Sequence, residues 1–420
     1  MKLIIHDLSE REFTKLELSQ DDDMRIISDD GTIKSCVGCF GCWIKTPGRC
    51  VLNDKYNNMG ELLARCDELV VISRLVYGSY SPFIRNVLDR SIPYLLPYFT
   101  VINGEIHHQP RYENRLDLTV HFYGDDMEER EKETAKQLVI ANAVNLYANV
   151  KDVNFHKLAQ KRVEEYNCSG ECENKPSSKM KIALLNGSPK QGASTSGWMI
   201  GKLEEIIGDE CDVSSFNLSR TEIEDGIYDD LCNMDALVIS CPLYVDAIPS
   251  HLFRILVELE KRMNKLRLVE PQTENIHIDE LLEEDAESSR PRKKDTLVYA
   301  ILHNGFYEGS QNYIALDIIK NWCNRSGVTY AQGIAQGSGE VVGFVETVPL
   351  GHGPLKNLGL ALYELAENIK ASSLGEDKLF NPNLPRLMWR LMASHSFWQP
   401  QARKNGLKIR DIRNRHGYMK

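Results

Sequence analysis

Residues 182–197 read Ile-Ala-Leu-Leu-Asn-Gly-Ser-Pro-Lys-Gln-Gly-Ala-Ser-Thr-Ser-Gly, and this stretch decides the fold. The apolar run 182–185 predicts a buried strand that stops at a turn beginning with Asn186. A hydroxyl-rich loop follows, and a helical pattern begins near residue 195. The three elements together predict an anion site, because a helix N-terminus presents unpaired N–H groups at the positive end of its dipole.

Side chains of the same loop strengthen the prediction of a phosphate site. Four hydroxyl groups and one cation belong to it: Ser188, Ser194, Thr195, Ser196 and Lys190. The loop has no Gly-Lys-Ser/Thr ending and no Gly-x-Gly-x-x-Gly pattern, which argues against a nucleoside triphosphate and a dinucleotide. A flavin mononucleotide (FMN) fits better, and the alternative is an ordinary strand-to-helix turn with a Ser or Thr N-cap.

The composition places the chain in a broad class. A length of 420 residues suggests two domains, and 42% hydrophobic with 26% charged residues is typical of a soluble globular protein. We find no apolar run of membrane-helix length and no signal-peptide core, so a cytoplasmic location is expected. The net charge of −10 argues against nucleic acid or an anionic membrane as the main partner.

The second half alternates strand and helix patterns in the doubly wound manner. Strands are predicted over 180–186, 211–217, 235–241, 295–302 and 327–335. Helices are predicted over 195–207, 249–265, 308–326 and 354–372. Five strands with intervening helices predict a flavodoxin-like α/β sheet, whose ligand lies at the carboxyl ends of the strands.

The first half repeats part of this order. Residues 69–73 parallel 236–240, and each run precedes a tyrosine-containing loop and an amphipathic helix. A strand over 116–123, a helix over 128–148 and a strand over 150–155 follow. After the first strand we predict neither a Gly-Ser-Pro turn nor a first helix, so the phosphate loop of this half is predicted to be deleted. One flavin per chain, held by the second half, is expected.

These patterns predict two tandem flavodoxin-like domains of doubly wound parallel sheets, the first truncated at its phosphate loop. The truncated domain covers 1–163, a linker 164–179, and the FMN-binding domain 180–420. Within the latter, an acidic stretch near 270–290 predicts a solvated insertion, with a partner-docking loop as the alternative. A C-terminal helical extension is predicted to pack on the body or on a partner chain.

Four cysteines are spaced as in a ligand motif, Cys36-x2-Cys39-x2-Cys42-x7-Cys50. Thiolates at such short intervals suit a cubane [4Fe–4S] cluster, and the intervening glycines let backbone N–H groups approach the sulfides. Zinc fits less well, because structural zinc sites usually combine two separated knuckles. Redox-active or merely packed thiols are the remaining alternative.

Taken together, these residues resemble the flavodoxin-like family of NAD(P)H-dependent FMN reductases, and in particular its iron–sulfur flavoprotein branch. The phosphate loop resembles the family's Gly-Ser-Pro-Arg followed by Asn-Thr, and the cysteine spacing resembles the compact cluster motif of that branch. The resemblance implies two loops around the flavin ring: Pro242, Leu243, Tyr244, Val245 and Asp246 on one side, and Asn304, Gly305, Phe306 and Tyr307 on the other. The aromatic side chains among them either stack on the ring or pack as ordinary aromatics.

The chain departs from the family in one respect, because the family normally carries the phosphate loop and the cysteines in one domain. Family members are usually dimers or tetramers with flavins at subunit interfaces. We therefore predict a fused pseudo-dimer, in which the cysteine loop of the first half covers a flavin held by the second. A homodimer or higher homo-oligomer of the whole chain is also expected.

The resemblance implies an FMN-dependent oxidoreductase that transfers electrons from NAD(P)H to a small acceptor such as a quinone or flavin. An iron–sulfur flavoprotein that carries electrons is the first alternative, and a non-catalytic flavin-binding module is the second. Hydride transfer to a flavin requires no side-chain acid or base, so no catalytic residue is nominated.

Overall fold

The computed structural model describes residues 1–16, 23–157, 179–269 and 296–415. In the first half the strands are β1 (Lys2–His6), β2 (Met24–Ser28), β3 (Glu68–Arg74), β4 (Leu95–Ile102), β5 (Glu105–Pro110), β6 (Leu116–Gly124) and β7 (Ala148–Lys157). The helices of that half are α1 (Glu10–Thr14), α2 (Gly41–Ile44), α3 (Met59–Ala64), α4 (Pro82–Asp89) and α5 (Glu129–Leu146).

The second half contains a further sheet and its helices. The strands are β8 (Lys181–Asn186), β9 (Asp212–Asn217), β10 (Ala236–Pro242), β11 (Leu297–His303), β12 (Thr329–Gln336) and β13 (Lys378–Phe380). The helices are α6 (Thr195–Ile207), α7 (Asp225–Cys232), α8 (Ser250–Val269), α9 (Tyr313–Ser326), α10 (Lys356–Lys370), α11 (Arg386–Met392) and α12 (Trp398–Lys404). A π-helical turn, Ala393–Phe397, joins the last two helices.

Two parallel sheets define the architecture. The first has the strand order β2-β1-β3-β6-β7, and the second has the order β13-β12-β11-β10-β8-β9. Counted within each half, both orders are the flavodoxin-like 2-1-3-4-5, with β13 as an added edge strand in the second. The prediction of two flavodoxin-like doubly wound sheets is therefore confirmed, and the five strands predicted in the second half agree with the structure to within two residues.

The truncation in the first half takes a form that the sequence analysis missed. Strand β1 leads into the five-residue helix α1, so the prediction of no helix at this point was wrong. Ser9 caps this helix and Glu12 completes a capping box, with the Glu12 carboxylate accepting from the Ser9 N–H at 2.9 Å. The side chains of Ser9 and Glu12 thus cap the N-terminus of α1. At the equivalent position, the second half has its long glycine- and serine-rich loop.

A β-hairpin, β4–β5, was also not predicted. Its strands pair antiparallel, and its turn places Asn103 and Gly104 at φ 51° and 88°. Asn-Gly is the strongest short-range signal for such a turn, because both central residues need positive φ. The hairpin contributes one wall of the cavity described below.

Helices of the two halves pack against each other and form one core. Helix α4 lies on α8, and α5 lies on α9. A single cluster of buried apolar side chains runs from strands β3 and β6 through these helices to β10 and β11. The domain boundaries remain predictions, because the predicted linker (except residue 179) and the acidic stretch near 270–290 lie outside the described residues.

None of the helices in the described ranges combines the length and the apolar character that crossing a bilayer requires.

We expect the pH dependence of stability to include a contribution from His251, a buried residue in the first turn of α8. Burial lowers the pKa of its imidazole from 6.5 to about 4, and backbone hydrogen bonds at Gly187 and Leu218 only partly oppose this. Because the unfolded chain then binds more protons, stability that is present above pH 6.5 is lost as the pH falls towards 4. His251→Asn should therefore reduce the change in unfolding free energy across this window by about 3 kcal/mol.

Urea titrations at several pH values would measure this effect. His352→Asn is the matched control, because His352 is exposed, and it should leave the profile as in the wild type. An unchanged slope in His251→Asn, or the same change in both variants, would contradict the prediction.

Candidate functional site

A cavity of about 220 Å³ lies at the carboxyl ends of β10 and β11, where the doubly wound topology places ligands. Its walls come from both halves of the chain. The first half supplies the cysteine loop (residues 36–50) and the β4–β5 hairpin, and the second half supplies the loops after β10 and β11. Helices α11 and α12, with the π-turn between them, complete the wall.

The loop after β10 contains a tight turn with a strained backbone. Tyr244 and Ala247 exchange two backbone hydrogen bonds of 2.8 and 3.0 Å, and the central residues Val245 and Asp246 have φ angles of 44° and 61°. Positive φ at both central residues defines a type I′ turn. A β-branched valine in this region costs of order 1–3 kcal/mol, so contacts from outside the turn must hold it.

Those contacts come from the first half of the chain. Arg85 of α4 donates to the carbonyl oxygen of Val245 at 3.0 Å and also to that of Tyr244. Asn142 and Asn145 of α5 donate to the Asp246 carboxylate at 2.8 and 2.9 Å. The backbone that faces the cavity in one half is therefore positioned by side chains of the other half.

Arg85 is itself held in an ion pair that is wholly buried. Its guanidinium lies 3.2 Å from the carboxylate of Asp89, one turn further along α4. The same carboxylate accepts the backbone N–H of Ser250, the first residue of α8, at 2.9 Å. Burial raises the pKa of Asp89 to about 6, and Arg85 opposes the shift.

Other ionisable groups on the cavity wall are kept neutral or restrained. Burial raises the pKa of Asp246, while the amide donors of Asn142 and Asn145 lower it. The pKa values of His108 and His303 are both lowered to about 3, chiefly by burial, so both rings are neutral at pH 7. The cavity wall therefore carries the hydrogen-bonded carboxyl group of Asp246 and the uncharged imidazole rings of His108 and His303.

The predicted phosphate loop lies between β8 and α6, and its hydroxyl groups are already engaged within the protein. Ser194 caps α6 by accepting from the N–H of Gly197 at 3.1 Å. Thr195 donates to the carbonyl oxygen of Gly339 at 3.3 Å, and the Ser196 hydroxyl lies 2.9 Å from Nε2 of His303. Ser188 is buried and accepts from the backbone N–H of Lys190 at 3.3 Å. Because Ser194 already accepts the Gly197 N–H, the groups best able to take an anion are the N–H groups of Thr195 and Ser196 at the start of α6 and the Lys190 ammonium.

The cysteine loop lies directly against the second half. Gly38 has a φ of 62°, and a Cβ atom added there would collide with the Tyr244 hydroxyl and lie 3.3 Å from Cγ of Pro189. The Lys190 ammonium is 5.5 Å from the centre of the Phe40 ring. The loop predicted to cover the flavin thus contacts both the phosphate loop and the turn after β10.

All four motif cysteines line the cavity, but their environments differ. Burial raises the pKa of Cys36 to about 12 and that of Cys42 well above its usual value. The sulfur of Cys50 accepts from Nε of the buried Arg90 at 3.2 Å, and that of Cys39 accepts from the Gly41 N–H at 3.4 Å. Across the described ranges, no group of three or more His, Cys, Asp or Glu side chains is placed to hold a metal ion. The four thiols therefore line one cavity without forming a ready-made ligand set in the described structure.

The cavity does fit a planar aromatic ligand with a polar edge. Aromatic side chains make up much of its wall: Phe40, Trp43, Phe99, Phe306, Phe344, Phe397 and Trp398. Two wall residues, His108 and Trp398, carry a buried ring nitrogen (Nδ1 and Nε1) with no hydrogen-bond partner among the residues that the structure describes. Unpaired buried polar atoms are costly, so they indicate a missing ligand or water. Apolar walls with a few polar groups are typical of cofactor sites.

The structure brings together most of the residues that the sequence singled out for the ring. All four cysteines, the five residues 242–246, and Asn304, Gly305 and Phe306 line one cavity. Tyr307 does not line it, because its hydroxyl donates to the Leu384 carbonyl at 2.8 Å and its ring packs on Trp389. The phosphate-loop residues lie outside the cavity wall, and Ser196 touches it through His303.

The sequence did not predict the residues whose side chains form hydrogen bonds from one half of the chain to the other. Arg85, Asn142 and Asn145 lie on helices with many buried apolar residues and were not singled out. Polar residues at the buried positions of these helices could have indicated them, because a buried polar side chain needs a hydrogen-bond partner. The identity of that partner, about 100 to 160 positions away in the chain, left no trace in the local pattern.

The known proteins that resemble this chain do so only distantly. No family model and no curated protein matches the sequence. Among solved structures, a flavone reductase is similar at 16% identity over 47% of this chain and 66% of that one, with a TM-score of 0.32. A flavodoxin, WrbA-like protein from Agrobacterium tumefaciens is similar at 10% identity over 46% of this chain and 99% of that one, with a TM-score of 0.29. The flavodoxin-like fold of this chain therefore rests on its own strand order.

Proposed function

We propose that this chain is an oxidoreductase that binds FMN between its two halves and transfers electrons from NAD(P)H to a small acceptor such as a quinone or flavin. The observation that supports this most directly is the aromatic cavity at the carboxyl ends of β10 and β11, whose lining residue His303 lies 2.9 Å from Ser196 at the start of α6. Such a pairing suits a ligand with a flat ring and a terminal phosphate.

The residues that would hold FMN fall into three groups. The phosphate would be held by the first-turn N–H groups of α6 and by Lys190, in the loop formed by residues 188–196. The ring would lie against the turn 242–246 and the loop 304–306. The cysteine loop and the C-terminal helices would cover it and exclude water.

FMN, when bound, supplies the two-electron redox chemistry. Asp246 and Gly305 line the cavity, and their backbone N–H groups would stabilise negative charge that develops on the ligand. The Asp246 carboxylate accepts from the amides of Asn142 and Asn145 and would thereby keep this backbone in place beside the ligand. Over a full cycle, NAD(P)H, one proton and a quinone become NAD(P)⁺ and the hydroquinone, so two electrons and two protons are accounted for.

The proposal is tested by titrating purified protein with FMN and then measuring NAD(P)H oxidation with and without a soluble quinone. We expect one FMN bound per chain, and oxidation that depends on both FMN and the quinone. Protein that binds no FMN would contradict the proposal. Protein that binds FMN but does not oxidise NAD(P)H would favour the non-catalytic flavin-binding module.

An iron–sulfur electron carrier is the second candidate, because all four motif cysteines line the same cavity. Iron and acid-labile sulfide measured on anaerobically purified protein test it, since a cubane cluster requires about four irons per chain. Stoichiometric iron would favour the carrier and would imply that the thiols move together when the cluster binds. Flavin without iron would favour the plain reductase. The cytoplasmic location and the homo-oligomeric state are further predictions.

A further inference from the structure

Two histidines face each other on the outer surface of the first sheet, and neither of them lines the cavity. Nδ1 of His121, on β6, lies 3.1 Å from Nε2 of His156, on the edge strand β7. His156 is exposed and His121 is half-buried. In a hydrogen bond between two imidazoles, one facing nitrogen carries a proton and the other carries a lone pair. The pair therefore already presents an electron-pair donor that a cation can use.

The strand register explains why the two rings meet. His156 is paired with Tyr123 of β6. His121 is paired with Asn154, two positions before His156 on β7. Side chains of a strand alternate between the two faces of a sheet, so His121, Asn154 and His156 share one face. The opposite face is the core side, where Val120 is buried. The pattern thus places two imidazoles diagonally across one pair of parallel strands.

This outer face is more accessible than its counterpart in the second half. There, the sheet face opposite the shared core packs on α6 and α10, and Tyr299 and Ile301 of β11 are buried. In the first half, Thr119 and Asn154, which lie beside the histidine pair on the outer face, are only half-buried. A small ion can therefore reach the two rings from solvent.

The separation of the two nitrogens is close to that of two ligands of one metal ion. Imidazole nitrogens bind Zn²⁺ at about 2.0–2.1 Å, so two of them in a tetrahedral site are about 3.3–3.4 Å apart. His121 and His156 would have to separate their facing nitrogens by only about 0.2–0.3 Å and turn both lone pairs towards the ion. Imidazole suits Zn²⁺, Cu²⁺ and Ni²⁺, whereas Mg²⁺ and Ca²⁺ prefer oxygen ligands. The donor set therefore selects a transition-metal ion.

The charges around the pair are compatible with a bound cation. Burial and the neighbouring His156 lower the pKa of His121, so its ring is neutral at pH 7, while the Asp152 carboxylate opposes this shift. Asp152 lies on the same face of β7 and stabilises positive charge at the pair, whether that charge is a proton or a metal ion. Lys2 has the opposite effect, but its ammonium lies 2.8 Å from the Glu68 carboxylate, which offsets its charge.

We propose that His121 and His156 form a binding site for a divalent transition-metal ion such as Zn²⁺. Water and the amide oxygen of Asn154, which lies between them on the same face, would complete the coordination. The ion would displace the proton shared by the two rings and join β6 to the edge strand β7. With two imidazole ligands this is a weaker and more exchangeable site than a structural zinc site, which has four protein ligands. The proposal goes beyond the function proposed above, because the site does not involve the cavity.

Isothermal titration calorimetry of the metal-free protein with ZnCl₂ tests the site. We expect His121→Ala and His156→Ala each to weaken zinc binding about tenfold or more, because each removes one of two ligands held on one scaffold. His352→Ala is the matched control, because His352 is exposed and belongs to the second half, and it should bind zinc as the wild type does. MgCl₂ should not compete for the site.

Thermal unfolding provides a second measurement and shows whether the variants are folded. With EDTA, the wild type and all three variants should unfold at similar temperatures. Zinc should raise the unfolding temperature of the wild type and of His352→Ala, because it binds the folded chain, but not that of His121→Ala or His156→Ala. An equal rise in all four proteins would overturn the proposal.

The motif cysteines are also able to bind zinc, so the ligands have to be identified. Co²⁺ serves for this, because thiolate ligands give it an intense charge-transfer absorption that imidazole ligands do not. Bound Co²⁺ that shows only the thiolate absorption would overturn the proposal. So would zinc binding that is unchanged in either His121→Ala or His156→Ala, or that falls equally in His352→Ala. All of these measurements are made without flavin or turnover, so their outcome is independent of the proposed function.

Discussion

Replacing Arg85 with alanine is expected to cost about 3–5 kcal/mol of unfolding free energy, because it leaves a buried carboxylate without its partner. Arg85 and Asp89 are both essentially inaccessible to solvent and form an ion pair on α4. The same guanidinium holds the strained turn after β10 through two carbonyl oxygens. The variant should therefore also weaken FMN binding, by about tenfold or more, since the turn would relax.

Urea unfolding measured at pH 5 and pH 7.5 would separate the cost of the unpaired Asp89 carboxylate from the cost of the lost hydrogen bonds to the turn. In the wild type the pKa of the buried Asp89 is about 6 even though Arg85 lowers it, so removing Arg85 should raise that pKa further. The penalty should therefore be largest above pH 6, where the wild-type pair is charged, and smaller at pH 5, where Asp89 is mostly protonated in both proteins. Arg85→Ala/Asp89→Asn should recover part of the stability by removing that charge. Arg65→Ala breaks a pair of the same helical spacing with Glu61, in which the arginine is 53% exposed, and should cost no more than about 0.5 kcal/mol. Similar losses at Arg65 and Arg85 would contradict this account of the buried pair.

Thr195→Glu should lower the affinity for FMN by about 100-fold and leave the affinity for riboflavin nearly unchanged. Thr195 is the first residue of α6, where the proposed phosphate site lies. A carboxylate there would repel the phosphate and compete with it for the N–H groups. The protein should stay folded, because an acidic residue in the first turn of a helix interacts favourably with the helix dipole.

Fluorescence titrations with the two flavins provide the measurement. Thr195→Gln is the control, since it has similar bulk but no charge, and we expect its loss of FMN affinity to stay below about tenfold. Riboflavin binding that falls as much as FMN binding would mean that the substitution disturbs the ring site. FMN binding that does not change would place the phosphate elsewhere.

The sheets could be predicted from the sequence because parallel strands buried on both faces appear as continuous apolar runs. β10 is such a run, and its predicted span of 235–241 differs from the observed Ala236–Pro242 by one residue at each end. The ring loops were predicted for a related reason: in a doubly wound sheet, a loop that follows a central strand lies at the ligand edge.

Two parts of the site could not be derived in this way. The spacing of the cysteines predicts that they are close in the chain, but it does not fix the directions of the side chains, and the structure does not gather them into a ligand set. The contacts from Arg85 and Asn142 to the turn after β10 join residues more than 100 positions apart. Such pairs depend on how α4 and α5 pack on the second half, which no local pattern encodes.

The strained turn at Val245 and Asp246 is held by side chains that belong to the same polypeptide. In a dimer of separate subunits, an equivalent site would be lost on dilution, because its two halves would dissociate. Here the halves remain covalently connected, so their association is intramolecular and independent of protein concentration. A cavity built in this way stays assembled in a single copy of the chain, and each half is free to acquire substitutions that the other does not share.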